Sequence, residues 1–228
     1  RSMGERVAAV VSQGRLRFTH FENCALTALG ACGIRLTRAT GAYWQQCLTR
    51  IMEMHLVDAD YILTLDHDSI FRPQEVRALF DGMEDRPDID ALAAVEVRRG
   101  GWMPLFQTVD GNGRMRIPSR EEFAQPYLRL KTAHFGLTML RVAALRRLPK
   151  PWFVAVPDER GGWGDGRIDA DVNFWHGWES CGNTLYLANR VVLGQLQEVV
   201  TFPGKDMEPI HQYIQDFEDY GRPKGIWE

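Results

Sequence analysis

The chain has 228 residues, 45% of them apolar and 25% charged, a globular mixture with material for one sizeable core. Its apolar runs are far too short to cross a membrane, and its four cysteines lack a CxxC pair, which argues against a disulfide framework or a zinc site; with no leader pattern at the start, a reducing cytoplasm is the expected compartment. The net charge of −3 is unevenly spread, since residues 98–150 hold eleven Lys and Arg against three acids while the blocks on either side are acidic. Such a block is a solvated face by default and a phosphate-facing surface in the sharper reading.

In chain order, Arg6–Gly14 is an apolar run closed by glycine, as a buried first strand is. Phe21–Gly33 has helical character and stops at its glycines, and Ile34–Thr37 is a second strand. In Tyr43–Val57, Trp44, Leu48, Ile51, Met52 and His55 recur at spacings of three and four, which predicts an amphipathic helix. Tyr61–Leu65 is the next strand, Pro73 suits the first turn of a helix running to Met83, and Ile89–Val97 is again strand-like. This alternation predicts an α/β fold with a mainly parallel central sheet flanked by helices. The second half is less regular. It holds a hairpin about Asp110–Gly113, a strand and short helix before Pro149, and a glycine-rich loop at Gly161–Gly166 expected to act as a mobile lid. A helix capped near Asp169 and stopped at Gly182 follows, then one or two strands up to Gly194. The tail after Pro203 shows no clear period.

Two acidic clusters carry the chemistry. Asp66 and Asp68 follow the apolar Tyr61–Leu65 directly, where an open α/β sheet binds ligands beyond its strands' carboxyl ends. Side chains two apart on an extended chain point the same way, so both carboxylates are expected to face one hard cation, Mn2+ or Mg2+, and the diphosphate it bridges. Acids also end strands simply because turns begin there. The second cluster is Asp165, Asp169 and Asp171. Asp169 and Asp171 open a helix, either as N-cap and dipole partner or as the general base that deprotonates an acceptor hydroxyl.

The segments ADYILTLDHDSIF, HFGLTMLRVAALRRLPKPWF and GRIDADVNFWHGWESCGNTLYL resemble, in order and spacing, the GT-A-fold glycosyltransferases of the family-2 type, over roughly residues 6–200. The resemblance implies one GT-A (Rossmann-like) domain over residues 4–228, with a nucleotide-sugar half at 4–97, an acceptor half at 98–200 and a tail at 201–228. It implies a hexosyltransferase that moves a sugar from a nucleotide-diphosphate donor to an acceptor hydroxyl, with Asp66 and Asp68 holding the metal-bound diphosphate. Gly136, Met139, Leu140 and Arg141 map onto the acceptor-side segment. Asp171 with Phe174 maps onto the acidic pair and aromatic that supply the base, although Ala170 stands where relatives carry the first acid. Relatives often have Gly-His after the last core strand, whereas this chain has Gly194-Gln195. Gln195 is then a weak third ligand through its amide oxygen, with His176 and His211 as alternatives. If Asp171 or Asp169 is the base, the anomeric centre inverts; retention stays open.

Val11, Ser12 and Gln13 end the first strand, where such folds seat the nucleotide base, and His67 and Arg50 are further donor-site candidates. On the acceptor side, Trp163 stands in a glycine-rich loop with no core to fill, and Trp175 belongs to a cluster of tryptophans near it. Arg98 and Arg99 head the basic block, which suits a polyanionic acceptor such as DNA with hydroxymethylated bases, the acceptor of some bacteriophage glycosyltransferases. Two readings compete. One is a two-metal phosphoryl transferase or nuclease built on Asp66, Asp68, Asp169 and Asp171. The other is a non-catalytic relative that binds a nucleotide or glycan.

Overall fold

The structure is a computed structural model and describes residues 1–98 and 104–227; Arg99, one of the acceptor-side candidates, lies outside them. The first half alternates as its pattern predicts, with a short α1 and β4 that the pattern does not show: α1 (Met3–Arg6), β1 (Val7–Gln13), α2 (Thr19–Gly30), β2 (Leu36–Thr40), α3 (Trp44–Met54), β3 (Tyr61–Leu65), β4 (Ser69–Ile70), α4 (Pro73–Asp85) and β5 (Ala91–Val95). Pro73 stands at the start of α4, where its missing N–H costs nothing. Next come β6 (Phe106–Val109), β7 (Met115–Arg116), α5 (Arg120–Ala124), β8 (Tyr127–Arg129), β9 (Thr132–Ala133), β10 (Leu137–Arg141) and α6 (Val142–Leu145). The chain continues through α7 (Ala170–Ser180), β11 (Leu185–Val192), β12 (Gly194–Gln195), β13 (Val199–Pro203), β14 (Pro209–Tyr213) and α8 (Ile214–Tyr220). The predicted hairpin is β6–β7, its turn closed by the Asp110 carboxylate, which accepts from the Asn112 and Arg114 N–H groups.

Among the described residues, the main sheet has seven strands in the order β2-β1-β3-β10-β5-β11-β8. β1, β2, β3, β5 and β11 run one way, while β10 and β8 run against their neighbours, so the sheet is mainly parallel. Because β10 is reversed, its lead-in, His134–Gly136, arrives at the carboxyl ends of β3 and β5, beside Asp66 and Glu96.

Helices cover both faces. α2 and α4 bury Phe21, Leu29, Leu79 and Met83 in one apolar cluster, and α3, α6 and α7 bury Ile51, Met52, Leu145 and Trp178 in the other. Central strands serve both clusters alternately, as the period of two requires: in β3, Ile62 faces one and Leu63 and Leu65 the other. α7 carries an aromatic block in which Trp175 stacks on Phe135 and Phe174 on Phe153. It ends as the sequence predicts, with Gly182 at φ +75° and the Asn183 N–H donating to the Trp178 carbonyl. The tail, aperiodic in sequence, is a β13–β14 hairpin carrying α8. Its strands alternate half-buried with exposed residues, so no face is apolar enough to leave a pattern. Among the described residues, no helix is long and apolar enough to cross a membrane.

Candidate active site

Asp66 follows β3 at once, and the chain then turns rather than continuing extended. The Ser69 N–H donates to the Asp66 carbonyl (3.2 Å), and the Ser69 hydroxyl donates to the Gly136 carbonyl (2.9 Å). The turn is pinned from the far side by the two-residue pairing of β4 with β12, which sets Gln195 opposite Ser69, while the Leu196 N–H donates to the Asp68 carbonyl (2.8 Å). Asp66 and Asp68 therefore share a cleft because a turn is folded against β12. Strand alternation, the basis of the sequence expectation, does not apply to them.

That cleft, about 350 Å3, is lined by Trp44, Asp66, His67, Asp68, Asp171 and Gln195. Two neighbouring hollows share its walls. One, about 290 Å3, shares Trp44, Asp66 and Asp171 and extends to Phe106, Gln107 and Thr132. The other, about 400 Å3, shares His67 and extends to Phe18, Leu196 and Tyr213, with Phe18 stacked on the His67 ring. The two carboxylates, the Gln195 amide and the predicted base thus meet at the carboxyl end of the sheet.

Behind Asp66 lies a buried charge pair. Glu96 is 1% exposed and lies against Nδ1 of His134, whose Nε2 faces the Ala94 carbonyl at 2.7 Å. Burial alone would lower the His134 pKa, but the hydrogen bond and charge of Glu96 outweigh it and hold it above its ordinary value. Asp66 is pushed up to about 7, first by burial and then by repulsion from Glu96 and Asp68; the His134 charge and a hydrogen bond from Trp44 oppose the rise. Burial also lifts Asp171 above the ordinary carboxylate range, against the Val172 N–H that donates to it at 2.9 Å.

The other candidates land variously. Asp169 caps α7 through its backbone, but its side chain is exposed and paired with Arg167 at 2.8 Å. Val11 is core, Ser12 donates to the Trp44 carbonyl, and Gln13 is 3% exposed with neither amide atom hydrogen-bonded to the described residues. Arg50 and Arg98 are exposed. Gly136 is buried beneath the turn, and a Cβ there would meet the Glu96 Oε2 at 2.7 Å. Met139 and Leu140 are core, while Arg141 stands at the opposite end of the sheet, donating to the Met83 and Ile89 carbonyls at 3.0 Å. Trp175 is 1% exposed and its indole donates to the Ala133 carbonyl, whereas Trp163 is 62% exposed. The glycine-rich loop wraps the Asp158 carboxylate, which accepts from the Gly162 N–H at 2.8 Å. A Cβ at Gly162 or Gly166 would lie 3.1–3.2 Å from the Asp158 side chain, a reason for those two glycines that needs no lid. His176 and His211 do not line the cleft.

Trp44 lines the cleft and the Glu96–His134 pair lies behind it, and sequence reasoning singles out none of the three. One signal points to Glu96: ALAAVE (91–96) is an apolar strand ending in an acid, the same pattern as YILTLD (61–66).

The residues present fit a divalent cation in part. Two carboxylates and the Gln195 Oε1, buried and without a hydrogen-bond partner among the described residues, are hard oxygen donors. Among the described residues, no three His, Cys, Asp or Glu side chains gather to hold a metal.

No protein-family model and no curated protein matches the chain. Solved structures do match it. A197 from STIV aligns over 91% of this chain and 94% of its own, at 15% identity and a TM-score of 0.57. GalNAc-T7, solved with UDP, GalNAc and Mn2+, aligns over 83% of this chain at 10% identity and a TM-score of 0.55; this chain covers 43% of that one. A CMP:2-keto-3-deoxy-manno-octonic acid synthetase complexed with CTP aligns at a TM-score of 0.42, too loosely to carry an argument. The fold is GT-A-like, a mixed α/β architecture with a mostly parallel sheet between helices.

Proposed function

We propose that the protein is a glycosyltransferase that uses a nucleotide-diphosphate sugar. The observation that carries this is the meeting of Asp66, Asp68, Gln195 and Asp171 around one cleft at the carboxyl end of a GT-A-like sheet. Asp66, Asp68 and Gln195 would hold Mn2+ or Mg2+, and the solved neighbour with UDP and Mn2+ supports that choice. The cation, when bound, supplies charge neutralisation for the leaving diphosphate. The nucleoside then lies toward Phe18 and His67, in the larger hollow. Asp171 faces the same cleft from α7, and its raised proton affinity suits it to take the acceptor hydroxyl's proton as the glycosidic bond forms. Asp169, turned to Arg167, is the weaker candidate for that role.

Two-metal phosphoryl transfer finds less support, because one of the four acids it needs is the exposed, ion-paired Asp169. The test is thermal stabilisation by nucleoside diphosphates with and without Mn2+, on the wild type and Asp68→Ala. A ligand at ~100 times its Kd adds ~2.7 kcal/mol. A Mn2+-dependent shift with one nucleotide, lost in the variant, is expected. No shift with any nucleotide would remove the donor site.

A further inference from the structure

We propose that the hollow walled by Trp44, Phe106, Gln107, Thr132 and Asp171 is the acceptor site, and that it takes an uncharged hydroxylated ring such as the end of a glycan. The inference rests on the transferase reading for the word acceptor, but its chemistry comes from the walls themselves. At about 290 Å3 the hollow is at the small end of ligand pockets, with room for one ring and its substituents.

Charge decides the class. Two carboxylates, Asp66 and Asp171, stand where the hollow meets the cleft, and among the described residues no Lys or Arg lines it. His134, the one other ionisable wall residue among those described, is held against Glu96. A phosphate or carboxylate entering here would meet the Asp171 carboxylate, with no described Lys or Arg on the wall to offset it. The basic block that suggested a polyanionic acceptor is largely engaged elsewhere. Arg116 pairs with Glu122, Lys131 with Glu179 and Lys150 with Glu53, Arg147 bonds Asn183, and Arg129 lies over the Tyr186 ring. The remaining walls suit a polyol. Gln107 is half-buried and its amide makes no hydrogen bond to the described residues, Thr132 is its register partner across β6 and β9 and lines the same wall, and Trp44 and Phe106 offer aromatic surface. A hydroxyl reaching inward from such a ring meets Asp171.

The test is ligand-observed NMR on the full chain with methyl glycosides of glucose, galactose, mannose and N-acetylglucosamine, beside glucose 6-phosphate. Binding by at least one glycoside is expected, weakened about five- to tenfold by Gln107→Ala, the loss of one hydrogen bond in a partly desolvated site. Glucose 6-phosphate should bind more weakly than methyl glucoside. No binding by any glycoside, equal binding of the phosphate, or insensitivity to Gln107→Ala would each overturn the assignment. UDP with Mn2+ is titrated separately. Sugar binding without UDP binding would sink the transferase reading and leave this hollow a glycan site; UDP binding without sugar binding would do the reverse.

Discussion

Replacing Asp66 with asparagine should make the metal-free protein more stable, at the expense of its site. Burial and the neighbouring Glu96 and Asp68 raise Asp66 from 3.8 to about 7. Roughly three pH units at ~1.4 kcal/mol each set a ceiling of about 4 kcal/mol on what ionising this carboxyl costs the fold. Below about pH 4 the group is protonated in both folded and unfolded chains and contributes nothing. Between about 4 and 7 the unfolded chain releases the proton and the folded one keeps it, so stability falls as pH rises; above about 7 the full penalty is present. Asparagine keeps the shape and removes the charge. Urea unfolding in chelator at about pH 8 should find Asp66→Asn more stable by about 2–4 kcal/mol, with the gap closing as pH falls toward 4. Mn2+ should stabilise the wild type and not the variant. A gap that is absent at about pH 8, or that does not change with pH, would refute the placement of Asp66 among buried like charges.

Four other outcomes rest on the same geometry. Asp171→Asn should lower kcat by about 10²–10⁴ while leaving UDP affinity intact, and a fall in UDP affinity of the same size would move Asp171 out of the base role. Gly136→Ala should cost about 1–3 kcal/mol by denaturant titration, since its Cβ would press on Glu96 and on Leu193 at 2.9 Å; a neutral result would show that the turn can shift. Glu96→Gln leaves the buried His134 without its counter-charge and should cost up to about 3–5 kcal/mol. His134 is raised in the folded state, so its contribution is present at acid pH and lost as pH rises through that raised value; the wild type's advantage should shrink in the same direction. Gln195→Ala should weaken Mn2+-dependent UDP binding more than UDP binding in chelator, and equal effects would remove Gln195 from the metal site.

The part of the site within reach of sequence is the part written in single segments. Asp66 and Asp68 are legible as candidates because an apolar strand ending in acids is a local pattern, and the stop of α7 because Gly182 acts on its own turn. Candidates chosen by residue type and neighbourhood fare differently. Trp175 is consumed by aromatic packing, and Arg141 ties carbonyls together at the wrong end of the sheet. A tryptophan or arginine in isolation does not say which side of a strand or helix its partners will occupy.

By itself the sequence determined the layers of this protein: apolar strands alternating with amphipathic helices must bury both faces of a sheet, whatever the order of its strands. Only the tertiary structure decided that β10 would enter the middle of that sheet reversed. The reversal carries His134 and Gly136 to Asp66 and Glu96, residues 38 to 70 positions earlier in the chain. It likewise decided that β12 would pin the Asp66–Ser69 turn, bringing Gln195 to the carboxylates. Strand order is set by the summed packing of many residues and leaves no mark at any one of them. The electrostatics of the site depend on that order, because burial and the nearness of Glu96 raise Asp66 only once the strands have been placed side by side.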